Sequence, residues 1–158
     1  MLPVMAVHDA SAADPHRTGS LKDTLHDLLW EVTAYTEMLG EAALADTPLS
    51  LPSNGMLETV VREPGVTVAE VARRLPKSQQ AISQVVARLE RLGYIERRVG
   101  SGRGVGLYAT EAGRVASREG VARERQLEEQ LREMLGAGRF AALRDLLRES
   151  RESLRQAR

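Results

Sequence analysis

Apolar residues near the start of the chain return at alternating intervals of four and three: Leu21, Leu25, Leu28, Val32, Tyr35, Leu39 and Ala42. That is the 3.5-residue period of a helix lying along another helix. Ser20, with Asp23 three residues on, supplies a variant capping box for its start. The same rhythm closes the chain in Phe140, Leu143, Leu147, Ser150 and Leu154, after a helix-breaking GAG at Gly136 to Gly138. Glu111 to Leu135 reads as a long charged helix with Val115, Val121, Leu127, Leu131 and Leu135 on its apolar side. These three helices are too long and too narrowly striped to close around the middle of the chain alone, which predicts pairing with a second copy.

The middle divides at its caps and breakers. Ser50 caps a helix from Leu51 to Arg62 whose Pro52 sits in the first turn, where a missing N–H costs little. A turn at Glu63 to Gly65 leads to the capping box Thr67 to Glu70, which opens a helix with Val68, Val71, Ala72 and Leu75 inward. Pro76 ends it, Ser78 caps the next helix, and Gly93 stops that one. Two helices joined by "PKS" form a helix-turn-helix. "YIERRV" and "LYAT" then read as strands around the loop "GSGRGVG", a hairpin that makes the wing of a winged helix. The expected fold is mainly α with a small β-hairpin wing. Residues 1–17 form a mobile tail, 18–46 an N-terminal dimerisation helix, 49–110 the winged helix-turn-helix, and 111–158 C-terminal dimerisation helices.

Composition narrows the chemistry. The chain has 158 residues, 42% hydrophobic and only five aromatic, so its core is Leu, Val and Ala. The absence of cysteine excludes disulfides, thiolate metal sites and thiol redox sensing. His8, Asp9 and His16 sit in the tail and do not make a metal site, and no cofactor is expected. No stretch resembles a membrane span, and "MLPVMAV" lacks the basic start of a signal peptide, so a cytoplasmic, nucleoid-associated protein is expected.

A formal net charge of zero conceals an uneven distribution. Met1 to Val61 carries two basic and nine acidic residues, Arg62 to Arg118 eleven and five, and the remainder nine and eight. A positive middle beside an acidic start is an electrostatic footprint for an anionic polymer.

Within the second helix of the helix-turn-helix, Ile82, Val85, Val86 and Leu89 share one face. At about 100° per residue, Gln80, Ser83, Gln84, Ala87 and Arg91 fall opposite, flanked by Gln79 and Arg88. Glutamine donates and accepts at once, so it can bond bidentately to the N6 and N7 edge of adenine, and serine can bond several bases. Gln79, Gln80, Ser83 and Gln84 are the base-reading candidates. Lys77, Ser78, Arg73, Arg74, Arg88, Arg91, Arg97 and Arg98 are the candidates for the DNA backbone. "GSGRGVG" brushes against a dinucleotide fingerprint but joins strand to strand instead of opening a helix, so that reading is rejected. What it offers is Arg103 on a flexible tip, suited to a narrow minor groove.

With these residues in place, the chain resembles the MarR family of winged-helix transcription regulators. The resemblance covers roughly Leu21 to Leu154 and is carried by "LSLPSNGMLETV", "EPGVTVAEVARRL", "SQQAISQVVARLERLGYIERR" and "LYATEAGR". It implies a homodimer that binds pseudo-palindromic double-stranded DNA, usually to repress, with the first helix and last two helices as the dimer interface. It also implies release by a small aromatic or phenolic ligand held between that interface and the winged helix. His26, Trp30, Tyr35, Met38 and Met56 are the residues the sequence offers for such a pocket, or for plain interface packing. Three departures stand out. Ser101 replaces the family's usual aspartate two residues before the wing arginine. Pro76 and Lys77 replace the usual Gly and hydrophobic residue of the connection. The cysteine used by oxidant-sensing members is absent. An alternative of another class is a winged-helix module whose basic face takes an acidic protein. No serine–histidine–aspartate set or carboxylate pair suggests an enzyme.

Overall fold

The computed structural model describes residues 24–75, 77–99 and 104–157. The expected tail, Ser20, Asp23, Pro76, Ser101 and Arg103 lie outside them. The elements are α1 (Leu25–Ala43), α2 (Leu51–Arg62), α3 (Val68–Arg74), α4 (Gln79–Arg91), β1 (Ile95–Val99), β2 (Val105–Ala109), α5 (Glu111–Leu135) and α6 (Ala137–Gln156). No helix among the described residues is long and apolar enough to cross a membrane.

The chain divides into two units, Met1–Tyr35 and Thr36–Arg158. In the first, the described residues make the opening turns of α1. Thr24 Oγ1 accepts from the Asp27 N–H at 3.2 Å and donates to the Asp27 carboxylate at 2.6 Å, closing the first turn. Leu25, Leu28, Val32 and Tyr35 of the expected stripe are exposed.

The second unit holds the core. Leu57 and Val60 of α2, Val71 of α3, Ile82, Val86 and Leu89 of α4, Ile95 of β1 and Leu107 of β2 are buried together. At the start of α2, the Ser53 hydroxyl accepts from the Ser50 N–H at 2.7 Å, and the Glu41 carboxylate accepts from the Leu51 N–H at 3.0 Å. Both acceptors satisfy donors near a helix end that would otherwise lack partners. The predicted box at α3 is complete: Thr67 Oγ1 accepts from the Glu70 N–H at 3.2 Å, and Glu70 Oε2 accepts from the Thr67 N–H at 2.7 Å. Leu75, expected inward, is 41% exposed, because the chain leaves the helix there in extended geometry.

Helix α4 ends at Arg91. Gly93, with φ +71°, donates to the Glu90 carbonyl and Tyr94 donates to that of Leu89, the pair of bonds that closes a Schellman cap. In the hairpin, Arg97 lies opposite Leu107, Arg98 opposite Gly106 and Glu96 opposite Tyr108. Val105 and Gly106, expected in the loop, belong to β2. The other edge of β2 is paired as well, with Gly65 donating to the Leu107 carbonyl at 2.8 Å and Leu107 to that of Val66 at 3.0 Å. Pairing of Val105 with Val99 and of Gly106 with Arg98 extends the strand into the glycine-rich segment.

Helix α5 departs from the pattern-based expectation. The residues it buries are Gly113, Ser117 and Gly120, while Val115 is 50% exposed and Leu135 40%. Small residues at intervals of four and three let α5 lie close to its neighbours, Gly113 against the Tyr94 backbone and Gly120 against Asn54 of α2. A Cβ on Gly120 would stand 1.8 Å from Asn54 Oδ1. Asn54, fully buried, donates from Nδ2 to Glu124 at 2.7 Å. The chain breaks at Gly136 alone, with φ +79°, and Ala137 and Gly138 already belong to α6. Helix α6 buries no residue and returns along α5 through an ion pair between Arg144 and Glu128 at 3.1 Å.

Two outcomes check this packing. A Gly→Ala change inside a helix usually gains about 1 kcal/mol from propensity. At Gly113, however, the new Cβ would lie 2.0 Å from the Tyr94 carbonyl oxygen. Gly113→Ala should therefore destabilise, by about 1–3 kcal/mol as other overpacking changes do, seen as a lower urea midpoint at unchanged slope. The second concerns Glu70, whose carboxyl is held below its ordinary 4.5 by the Thr67 N–H, the Thr67 hydroxyl and, more weakly, Arg73 and Arg74. A depressed folded-state value means stabilisation present above the unfolded value and lost as pH falls through the folded one. Glu70→Gln should thus be less stable than the parent at neutral pH. Urea melts taken at successively lower pH should show the difference closing below about pH 4.5.

Candidate nucleic-acid interface

The predicted amphipathic split of α4 is present. Ser78 Oγ accepts from the Ala81 N–H at 3.2 Å and starts the helix. Ile82, Val86 and Leu89 are buried, and Val85 is half-buried at their margin. Gln79, Gln80, Gln84, Ala87, Arg88 and Arg91 are exposed and Ser83 is half-exposed. Among the described residues, the side chains of Gln79, Gln80, Ser83 and Gln84 have no hydrogen-bond partner. Donors and acceptors left open to water on one rigid face are available to an incoming ligand without breaking a bond inside the protein.

The cations around this face are held differently from one another. Arg74 pairs with Glu63 at 2.6 Å, across the α2–α3 turn. Arg97 shares its hairpin face with the buried Leu107, and its Nε donates to Glu90 of α4 at 2.9 Å. Arg98, one residue on, lies on the opposite face. There it pairs with Glu96, and its guanidinium sits over the Tyr108 ring, 4.9 Å from the centroid. Of the two neighbouring wing arginines, only Arg97 is tied to α4. Arg88 Nη2 donates to the Pro48 carbonyl at 2.9 Å, which turns this guanidinium toward the α1–α2 connection. Arg91 Nε reaches only the Ala87 carbonyl, at 3.4 Å. Lys77 is exposed beside the cap of α4 and Arg73 is exposed on α3.

These carboxylate partners were not legible from sequence spacing. Glu90 and Arg97 are brought together by the Gly93 cap, and Glu63 and Arg74 by the turn before α3. An apolar groove of about 610 Å³ was missed as well. Its walls include Pro52, Met56 and Thr59 of α2, Leu75, and Ala81 and Val85 of α4, and its rim carries Lys77, Arg88 and Arg91. Of the five residues offered for an effector pocket, only Met56 lines this groove. His26, Trp30, Tyr35 and Met38 are exposed on α1.

The MarR family model matches residues 49–104. The HTH-type transcriptional repressor Rv2887 of Mycobacterium tuberculosis is 33% identical over 97 residues, which are 60% of this chain and 70% of that protein. A crystal structure of Rv2887 in complex with DNA superposes with a TM-score of 0.66 at 26% identity, covering 80% of this chain and 96% of that one. Its complex with salicylic acid gives 0.65 at 28% identity, covering 80% and 95%. With a helix-turn-helix, a two-stranded wing and a long α5 packed on α2, the chain belongs to the MarR family of winged helix-turn-helix transcriptional regulators.

Proposed function

We propose that the protein acts as a homodimeric repressor that places α4 of each copy in successive major grooves of a pseudo-palindromic duplex. The observation that carries this reading is the face of α4 on which Gln79, Gln80, Ser83 and Gln84 have no partner of their own. Gln80 and Gln84 read base edges, with Gln79 and Ser83 beside them. Lys77, Arg73, Arg74, Arg91 and Arg97, with the N–H groups at Ser78, hold phosphate. Arg88 and Arg98, engaged with Pro48 and with Glu96 and Tyr108, contribute less. Arg103 enters the minor groove. The exposed apolar residues of α6, among them Leu147 and Leu154, supply a surface through which two copies pair. Binding of Rv2887 to DNA supports the assignment by kinship.

The test is anisotropy titration of duplexes enriched from a random library, at several salt concentrations. Half-sites should recur about 34–36 Å apart. Gln80→Ala or Gln84→Ala should cost about 1–3 kcal/mol on the selected duplex and relax preference at one base pair. Arg97→Ala should weaken all duplexes alike and lower the slope of log K against log salt by about one. If the glutamine variants weakened every duplex equally, base reading by α4 would be excluded.

The groove between α2, α3 and α4 supports a second element, a small aromatic acid that releases the DNA. Apolar walls suit the ring and the cationic rim suits the carboxylate, and salicylic acid is bound in a structure of Rv2887. Added salicylate should weaken duplex binding by the parent. Thr59→Phe, which fills the groove, should bind DNA normally but lose that response. An unchanged response would place the ligand elsewhere.

A further inference from the structure

The most connected charged side chain among the described residues lies away from α4. Arg123 of α5 makes a two-pronged contact with Asp46, Nη1 to Oδ1 at 2.6 Å and Nη2 to Oδ2 at 2.7 Å. The same guanidinium donates to the Ala43 carbonyl at 3.2 Å and to Glu119 at 3.2 Å. Ala43 is the last residue of α1, so Arg123 places a cation at the negative end of that helix and satisfies a carbonyl there. One residue further along α5, Glu124 accepts from buried Asn54 of α2, directly beside Gly120. Glu41, in the last turn of α1, accepts from the Leu51 N–H at the start of α2. Three helices therefore meet at one polar joint.

The Arg123 side chain is 29% exposed and that of Asp46 67%. A pair this open to water adds little to global stability. What a planar fork on a carboxylate does supply is a fixed direction. The Arg123 hydrogen bond also holds the Asp46 carboxyl below the usual aspartate range, so the pair stays charged at neutral pH.

We propose that Arg123 is a positioning residue for DNA binding, setting the angle between the winged helix and the dimer-forming helices and so the spacing of the two recognition helices. This rests on the homodimeric reading above. The lever makes the effect large. From Arg123 to Leu135 is roughly 18 Å of helix at 1.5 Å per residue. A rotation of about 10° at the joint then displaces the far end by about 3 Å, close to the 3.4 Å rise of one base step.

The experiment uses the full chain and a duplex enriched from a random library by the parent. That duplex is rebuilt with its half-sites moved apart or together by one and two base pairs. The parent should prefer one spacing by about tenfold or more. Arg123→Met, which keeps the stem and removes the fork, should bring neighbouring spacings within about threefold of each other. Its affinity for a duplex carrying one half-site, and its solution mass, should match the parent. Exchanging the charges in Asp46→Arg with Arg123→Asp should restore part of the preference, which a purely structural role would not do. Should Arg123→Met fail to fold, Asp46→Asn changes an exposed group and carries the same expectation. An unaltered spacing profile in whichever of these variants folds would overturn the assignment while leaving the DNA-binding reading intact. A parent that binds as a single chain, or shows no spacing preference, would overturn both.

Discussion

The orientation of α4 about its own axis decides what the molecule can touch, and burial of Ile82, Val86 and Leu89 sets it. Each fully buried side chain of this size stabilises by about 1.5–3 kcal/mol relative to exposure. Rotating the helix by one residue position, about 100°, would turn polar residues of the outer face toward the core and expose the apolar stripe. A single bidentate contact with a base is worth about 1–3 kcal/mol. Three buried anchors together exceed any one contact that the outer face can make, so under the proposed function a duplex meets a helix already turned the right way. The Thr67 box, the Ser78 cap and the Gly93 cap fix the ends of α3 and α4 and leave the helix nothing to rearrange.

Most of this was readable from the chain because short-range rules govern it. Caps at Ser50, Thr67 and Ser78 mark the helix starts within a residue, and the face of α4 follows its apolar period. Readings failed where a distant segment overrides a local one. Leu75 fits the inward stripe of α3 but is exposed, because the chain has already turned extended. Val105 and Gly106 look like loop but are held as strand by pairing with Val99 and Arg98 of β1. On α5 valine and leucine stand out, whereas its close contacts, with Tyr94 and with Asn54 of α2, are made where side chains are smallest. Gly113, Ser117 and Gly120 carry no hydropathy signal, only a spacing, and that spacing has meaning once Tyr94 and Asn54 are known to lie against it.

The candidate site divides in the same way. Which side of α4 faces outward could be derived from composition and period, so the glutamine cluster was visible at once. Which cations stand free could not. Arg97 and Arg98 are adjacent and chemically identical, yet the pleat sends them to opposite faces of the hairpin. One reaches Glu90 on α4 and the other lies over Tyr108 beside Glu96. The difference comes from a register set by Leu107, whose side chain must enter the core.

Neutral net charge and a basic binding face are compatible once these pairings are considered. Glu63 and Glu90 sit as internal counter-ions for Arg74 and Arg97, in pairs open enough to solvent that little is lost when a partner is exchanged. Glu90 engages Arg97 through Nε alone, which leaves the two terminal nitrogens of the fork for a phosphate. Such pairing keeps the arginines ordered without a field strong enough to bind any polyanion tightly. Under the proposed function, discrimination falls to the uncharged glutamines, whose bonds depend on geometry and not on charge alone. A protein that must leave most DNA and stay on one site is better served by that division than by a larger positive charge.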